Sequence, residues 1–401
     1  MRMKPVAVLD VAADLMAGGR TDLAQVMRML VNACAAARGL TPPWPVDLPE
    51  EDAERAMKRL ADLDGLDTWG AAELGDAYQR LLTGDERASG GVYYTPPELA
   101  EHITMLALRT QLDQLPDVMV FDPSCGAGVF LLATADLLAV GRARAFTGSA
   151  DPPDFAVQAA LGEVLRESVF GADIDPIAVE IARSACWLAV GGVRPIGFMD
   201  DNIICADPLT GALPPALAAR LDSSSPLIVL GNPPYLEQAK GLAPWIEARR
   251  AKGELALRPS LDEFRTAGQG RYEGKLSNLY TFFWRLATWL AFDRRPGRPG
   301  TVAFVTPSAY LRSEVFAGMR EYLRRTADQG WIVDLSPEGH QPPVPTRIFP
   351  EVKTPLAVGV FTRRRGGDST VPAVVRHRAV AGRREEKLRQ LAAVDDQGGR
   401  S

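Results

Sequence analysis

Cysteine and histidine are scarce in this chain, and neither is clustered. Of 401 residues, four are cysteine (Cys34, Cys125, Cys186, Cys205) and three are histidine (His102, His340, His377). No two cysteines stand at metal-ligand spacing and the histidines lie far apart, so no structural metal is expected and the thiols are read as reduced. Long apolar runs are also missing. A membrane span needs roughly 20 predominantly apolar residues; the nearest approach, Leu279 to Phe292, is shorter and contains Arg285. The opening Met1-Arg2-Met3-Lys4 leads into Asp10 and Asp14, not into the apolar stretch of a secretory signal. These absences together point to a cytoplasmic protein with no membrane partner. Nor does one sign of charge dominate. A net charge of −5 excludes a wholly basic nucleic-acid coat while leaving room for a local basic cleft. No internal repeat stands out. What is present, 46% hydrophobic and 24% charged residues, fits a globular core, and the length suits one large domain with additions or two domains.

Residues 1–90 read as helical. Apolar side chains recur at helical spacing through Leu23, Met27, Leu30 and Val31, again at Met57, Leu60 and Leu63, and again from Leu74 through Ala77, Tyr78, Leu81 and Leu82. Pro42-Pro43-Trp44-Pro45 separates the first segment from the second. This region is expected to pack and to interact without carrying chemistry. From Gly90 the pattern changes to alternating strands and helices, which predicts an α/β domain over residues 91–362 with a mostly parallel central sheet. Beyond it, residues 363–401 form a basic, polar tail with Arg376, Arg378, Arg383, Arg384, Lys387 and Arg389. A solvated tail is the default expectation for such a stretch, and phosphate contact the alternative.

Within the α/β region, polar and glycine-bearing turns fall where strands end. Thr95 and Glu98 fit a capping box with Pro96 at the first helical position, after Tyr93-Tyr94. The segment reads equally as a ligand-contacting helix N-terminus or as a well-capped helix. Val118–Phe121 is a predicted strand. It runs into Asp122-Pro123-Ser124-Cys125-Gly126-Ala127-Gly128 and then a helix through Leu138; in an open α/β sheet such a crevice binds ligands. Gly126 and Gly128 allow close approach to the backbone. Asp122 argues against a pyrophosphate and for a ligand with a positive amino group or free hydroxyls. Residues 145–158 look like a surface insertion. A second strand, Ser168–Ala172, ends in Asp173-Ile174-Asp175-Pro176. Asp173 stands where ribose hydroxyls are gripped in nucleotide-binding folds, and Asp175 caps the helix opening at Pro176. A third strand, Ile203–Ala206, ends in Asp207-Pro208, which reads as a contact to an adenine amino group or as a simple turn.

The fourth strand, Pro226–Leu230, ends in Gly231-Asn232-Pro233-Pro234-Tyr235. Asn232 offers a carboxamide oxygen, Pro233 and Pro234 hold the backbone extended and present carbonyls without N–H groups, and Tyr235 offers a flat face. Two acceptors beside a flat surface suit a planar ring bearing an exocyclic amino group; a strand-end turn is the plainer reading. Residues 236–275 are irregular, with Arg249-Arg250-Ala251-Lys252 and Arg271, and loops of this kind at a sheet's carboxyl edge tend to carry binding function. The aromatic helix Tyr280–Phe292 is read as core. A strand over 301–305, a helix over 308–323, a strand over 331–335 and a hairpin-forming strand over 356–361 complete the domain.

Gly91-Val-Tyr-Tyr-Thr-Pro, Asp122-Pro-Ser-Cys-Gly-Ala-Gly, Gly171-Ala-Asp-Ile-Asp-Pro and Gly231-Asn-Pro-Pro-Tyr, in that order, closely resemble the adenine-N6 DNA methyltransferases of restriction–modification and phage-defence systems. The resemblance covers roughly residues 75 to 362. It implies a Rossmann-like class I methyltransferase domain, S-adenosylmethionine as cofactor and double-stranded DNA as partner. It implies that Thr95 and the segment around Asp122, Pro123, Gly126 and Gly128 hold the methionine part of the cofactor. Asp173 would hold the ribose hydroxyls, Ile174 would lie against the adenine and Asp207 would contact its amino group. It further implies that Asn232 and the Pro233 carbonyl accept the two N–H bonds of a flipped-out adenine, with Pro234 keeping the loop extended and Tyr235 stacking on the base. The implied enzyme is a site-specific, adenine-specific DNA methyltransferase. Only about 40 residues follow the last predicted strand, too few for the recognition domain that many such enzymes carry. A specificity subunit or other defence partner, the long loops, or a missing segment is therefore expected to read the target. Two other readings stand beside this one: a protein glutamine N-methyltransferase, and a non-catalytic DNA-binding subunit of a defence complex.

Overall fold

A computed structural model describes residues 6–17, 21–63, 65–82, 95–109, 117–211, 213–249, 257–265, 276–342, 344–349, 352–364 and 371–397. The tyrosine pair Tyr93-Tyr94 and the basic residues Arg250, Lys252 and Arg271 lie outside them. The N-terminal region consists of α1 (Val6–Ala17), α2 (Leu23–Ala37), α3 (Glu50–Ala61) and α4 (Ala71–Leu81). Then come α5 (Pro97–Arg109), β1 (Met119–Asp122), α6 (Val129–Thr147), α7 (Asp154–Ser168), β2 (Val169–Asp173), α8 (Pro176–Ala189) and β3 (Ile203–Cys205). α9 (Pro215–Leu221), β4 (Leu227–Gly231), α10 (Pro244–Glu247), α11 (Leu279–Thr288), β5 (Gly300–Pro307), α12 (Ala309–Arg312) and α13 (Ala317–Thr326) follow, before β6 (Gln329–Asp334), β7 (Leu356–Arg363), β8 (Val374–Ala379) and α14 (Arg384–Gln397).

The described strands form one sheet in the order β3-β2-β1-β4-β5-β7-β6-β8. β1 pairs in parallel with β2 (Phe121 opposite Phe170) and with β4 (Val120 opposite Ile228), and β4 with β5 (Val229 opposite Val302). β7 is inserted antiparallel between β5 and β6, and β8 runs parallel to β6. The fold is thus α/β and Rossmann-like, with a mostly parallel central sheet preceded by helices. β1 and β4 read as unbroken apolar runs because both faces of the sheet are covered. Successive residues of β1 serve opposite sides: Val120 packs with Ile103 of α5, Leu138 of α6 and Leu165 of α7, whereas Phe121 packs with Leu217 of α9, Trp284 of α11 and Tyr322 of α13. The N-terminal helices share a third core with α8, where Leu30, Leu74 and Tyr78 meet Ala178, Ile181 and Trp187. Arg28 adds a two-pronged bond to Glu180, both contacts 2.7 Å.

Strand order reverses between β1 and β4, so the crevice between their carboxyl ends is the natural ligand site of such a sheet. The charged residue in the aromatic helix is accommodated rather than exposed. Arg285 is fully buried, donating to the Ser260 carbonyl (2.7 Å), the Tyr322 hydroxyl (3.1 Å) and Asp293 Oδ2 (2.5 Å). Asp293 ends the π-helical turn Trp289–Asp293 that continues α11.

Three stretches differ from expectation. Residues 145–158 are not an insertion: α6 continues to Thr147, Gly148 ends it, and α7 begins at Asp154. α7 holds its place by burying Ala156, Ala160, Leu161, Val164 and Leu165. The helix foreseen over 308–323 is broken into α12, a 3-10 turn over Glu314–Phe316 and α13. The described part of the basic stretch after residue 363 is not a solvated tail: it contains β8 and α14, and α14 buries Leu391 and Lys387 against the domain. Lys387 is wholly removed from solvent, its ammonium donating to the Leu335 carbonyl (2.6 Å) and to Glu338 (2.9 Å).

Candidate active site

The turn after β1 is built on hydrogen bonds to its own neighbours. The Cys125 N–H reaches the Ala172 carbonyl of β2 (3.0 Å), and the Gly128 N–H closes on the Cys125 carbonyl (2.9 Å). Gly126 and Gly128 have φ of +51° and +89°, the left-handed region that favours glycine. They serve different ends. A side chain at Gly126 would meet nothing within 4 Å, whereas one at Gly128 would stand 3.1 Å from the Ala182 Cβ of α8. Gly126 leaves room for a ligand; Gly128 lets a helix approach.

Asp173, at the end of β2, ties this turn to the next. Its Oδ2 accepts the Gly126 N–H (2.8 Å) and its Oδ1 the Asp175 N–H (3.0 Å). Burial raises its pKa above the ordinary carboxyl value, and those two N–H donors oppose the rise. Asp175 caps α8 as expected, its Oδ1 accepting from the N–H groups of Ile177 (2.9 Å) and Ala178 (3.3 Å). Its other oxygen accepts the Tyr78 hydroxyl from α4. Ile174 between them is exposed at 69%. Asp207 opens the 3-10 turn Pro208–Thr210 by accepting the Leu209 N–H (2.9 Å), so the turn reading holds while the residue still faces the site.

The loop after β4 carries Asn232 into the same crevice. Its Nδ2 donates to Thr95 Oγ1 (3.1 Å), and its Oδ1 accepts the Tyr235 hydroxyl, which also lies 3.4 Å from the Val305 carbonyl. Thr95 therefore engages Asn232 instead of forming the expected capping box. Pro97, not Pro96, is the first helical residue of α5, and the Pro96 carbonyl accepts from Leu99 and Ala100.

A cavity of about 580 Å³ joins these turns, within the range that holds small-molecule ligands. Thr95, Pro123, Gly126, Asp173, Ile174, Asp207, Asn232 and Pro234 line it. Asp122, Gly128, Pro233 and Tyr235, also expected there, are not among the lining residues. Asp122 lies beneath the floor, fully buried. Its Oδ1 accepts the Ser124 N–H (3.0 Å) and its Oδ2 has no hydrogen-bond partner among the described residues. Burial, aided by the charge of Asp173, pushes its pKa up to about 8. Tyr235 is turned with its hydroxyl on Asn232 and its ring against the core cluster that contains Val120 and Ile228. The sequence reading placed a helix at α4 but gave it no part in the site: Gly75, Tyr78 and Gln79 of α4, with Leu82 just beyond it, form one wall. Nothing local marked them, since Tyr78 falls on an ordinary apolar stripe. Among the described residues no group of His, Cys, Asp or Glu is placed to hold a metal ion, and no helix is long and apolar enough to cross a membrane.

Residues 71–248 match the family model described as N-6 DNA Methylase. The chain is 25% identical over 357 residues to the adenine-specific methyltransferase PglX of Streptomyces coelicolor, a match covering 80% of this chain and 27% of that protein. It is 36% identical over 83 residues to a putative type II restriction enzyme and methyltransferase of Methanocaldococcus jannaschii, covering 21% of this chain and 7% of that one. The matches thus span about a quarter or less of those curated relatives. Among solved structures, the DrdV–DNA complex aligns with a TM-score of 0.62 at 19% identity, covering 88% of this chain and 34% of that one. A putative class I S-adenosylmethionine-dependent methyltransferase of Listeria monocytogenes aligns with a TM-score of 0.53 at 14% identity over 98% of both chains. At these identities the structural likeness shows the fold.

Proposed function

We propose that the chain, whose residues 71–248 match the N-6 DNA methylase family model, methylates the exocyclic N6 of an adenine flipped out of DNA, within a restriction–modification or phage-defence system. Double-stranded DNA is the substrate, and a partner or a further segment reads the target sequence. One observation carries the reading: Gly126, Asp173, Asn232 and Pro234, drawn from three separate strand ends, line one cavity.

The residues present fit S-adenosylmethionine. The open space at Gly126 admits a ligand against the backbone. Asp173, with each oxygen accepting one N–H, retains lone pairs for ribose hydroxyls. Ile174 and Leu209 bound the same cavity with apolar surface suited to a purine. When bound, the cofactor supplies an electrophilic methyl group.

The chain's own residues prepare the nitrogen. The N6 lone pair of adenine is delocalised into the ring and must be localised before it can attack. Asn232 Oδ1 and the Pro233 carbonyl accept the two N–H bonds, which favours a tetrahedral nitrogen with its lone pair directed at the methyl group. These acceptors are complementary to positive charge developing on nitrogen, so they act chiefly in the transition state. The Tyr235 hydroxyl and Thr95 hold the two ends of the Asn232 carboxamide. Its orientation is set before substrate arrives.

The test compares N6-methyladenine in genomic DNA from cells carrying the gene with its natural neighbours and cells carrying the Asn232→Ala variant. Loss of a defined set of methylated adenines in the variant is expected. Identical methylation in both, or label from S-adenosylmethionine appearing in protein glutamine and not in DNA, overturns the proposal.

A further inference from the structure

The N-terminal helices were expected to pack without chemistry, yet α4 closes one side of the cavity. Tyr78 is the informative residue. It is 94% removed from solvent (6% exposed), lines the cavity, and donates its hydroxyl to Asp175 Oδ2. Asp175 is the hinge of the turn after β2. One oxygen holds the first turn of α8, and its backbone N–H holds Asp173 Oδ1 at 3.0 Å. Asp173 in turn holds Gly126 at 2.8 Å. A continuous path of hydrogen bonds thus runs from a helix of the N-terminal region, through two carboxylates, to the glycine turn. A buried tyrosine serving only as core would need neither the cavity face nor that carboxylate, because its ring already packs with Ala178 and Ile181 of α8.

We propose that Tyr78 is a positioning residue for the cofactor: through Asp175 it fixes the carboxylate of Asp173 and the Gly126 turn, so that the cofactor site is completed by the N-terminal helical region. This rests on the reading of the cavity as an S-adenosylmethionine site. Losing the hydroxyl leaves one oxygen of Asp175 without its donor and frees the turn to relax. The effect falls on binding of the adenosine-bearing ligand and leaves the acceptors at Asn232 in place.

The experiment is equilibrium titration of the full chain with S-adenosylmethionine and S-adenosylhomocysteine, using wild type, Tyr78→Phe, Asp175→Asn and the double variant. Asp175→Asn keeps an oxygen for the α8 cap. Binding weakened about 5–20-fold by Tyr78→Phe is expected, with the rate at saturating cofactor, per active site, within about twofold. Because both residues act through one bond, the double variant should bind no worse than the weaker single variant. Wild-type affinity in Tyr78→Phe overturns the proposal, as does a double variant whose losses multiply. A fall in the saturated rate with affinity unchanged also overturns it. If wild type binds neither ligand, the cofactor reading itself fails, and the positioning role falls with it.

Discussion

Replacing Gly231 with alanine probes the packing directly beneath the Asn232 loop. Gly231 has φ of +150°, and a Cβ added there would stand 2.5 Å from Asp122 Oδ1 and 2.9 Å from its Cγ. Neither neighbour can yield easily. Asp122 is fully buried on a central strand with its Oδ1 held by Ser124, and Gly231 is the last residue of β4. Overpacking a tight interior costs about 1–3 kcal/mol, and a non-glycine residue held at this φ costs on the order of 1–3 kcal/mol more. The expected destabilisation is therefore about 2–6 kcal/mol. Relief of the clash requires the next residue, Asn232, to move, and displacement of a reacting group by about 1 Å costs on the order of 10² in rate. Urea unfolding measures the first quantity. DNA methylation per folded molecule, with folded fraction taken from circular dichroism, measures the second. An alanine variant with stability within about 0.5 kcal/mol of wild type and undiminished methylation would show that the carboxylate does not press on this turn, and would refute the reasoning.

Three further perturbations follow from groups already described. Burial raises Asp122 from an ordinary value of 3.8 to about 8, so between those pH values the native protein holds a proton that the unfolded chain has released. Stability should then fall as pH rises, by up to about 1.4 kcal/mol per unit. Asp122→Asn, which can still accept from Ser124, removes the slope and should gain on wild type from about pH 5 to about pH 8 in urea midpoints; an equal gap at both ends would count against a buried neutral carboxyl. Asn232→Ala should lower the methylation rate by about 10²–10³ while leaving S-adenosylmethionine affinity, read by titration, within a few-fold. Lys387→Ala strips Glu338 of its ion-pair partner and the Leu335 carbonyl of its donor. A loss of about 1–3 kcal/mol is expected, with faster hydrogen exchange concentrated in α14.

The sheet and its turns were legible in the sequence because buried parallel strands are short apolar runs and their ends are punctuated by Asp, Gly and Pro. The positions of β1, β2 and β4 came within a residue or so of those observed. The direction in which a strand-end side chain turns was not legible. Asp122 ends β1 and points beneath the floor, whereas Asp173 ends β2 and faces the cavity, and no local pattern separates the two. Tyr235 was likewise placed in the right loop, but its hydroxyl found Asn232. α7 was hidden because its first two turns bury only the small side chains of Ala156 and Ala160, the larger Leu161, Val164 and Leu165 coming only in its second half. β8 was hidden for a different reason: every residue in it is exposed, so the alternation that marks half-buried strands never arises. The part played by α4 depends on two segments roughly a hundred residues apart meeting at Asp175, which periodicity within either segment cannot express.

The flank of the sheet beyond β6 has a practical consequence. β8 covers β6 along its length and leaves Arg376, His377 and Arg378 exposed. Arginine-rich borders of this kind discourage another chain from zipping on. A truncation upstream of Val374, tempting because that stretch looks dispensable, would uncover the backbone donors and acceptors of Gly330, Ile332 and Asp334, the alternate residues of β6 that direct them towards β8. Such a shortened protein would expose a bare apolar margin and should precipitate at concentrations the whole chain tolerates.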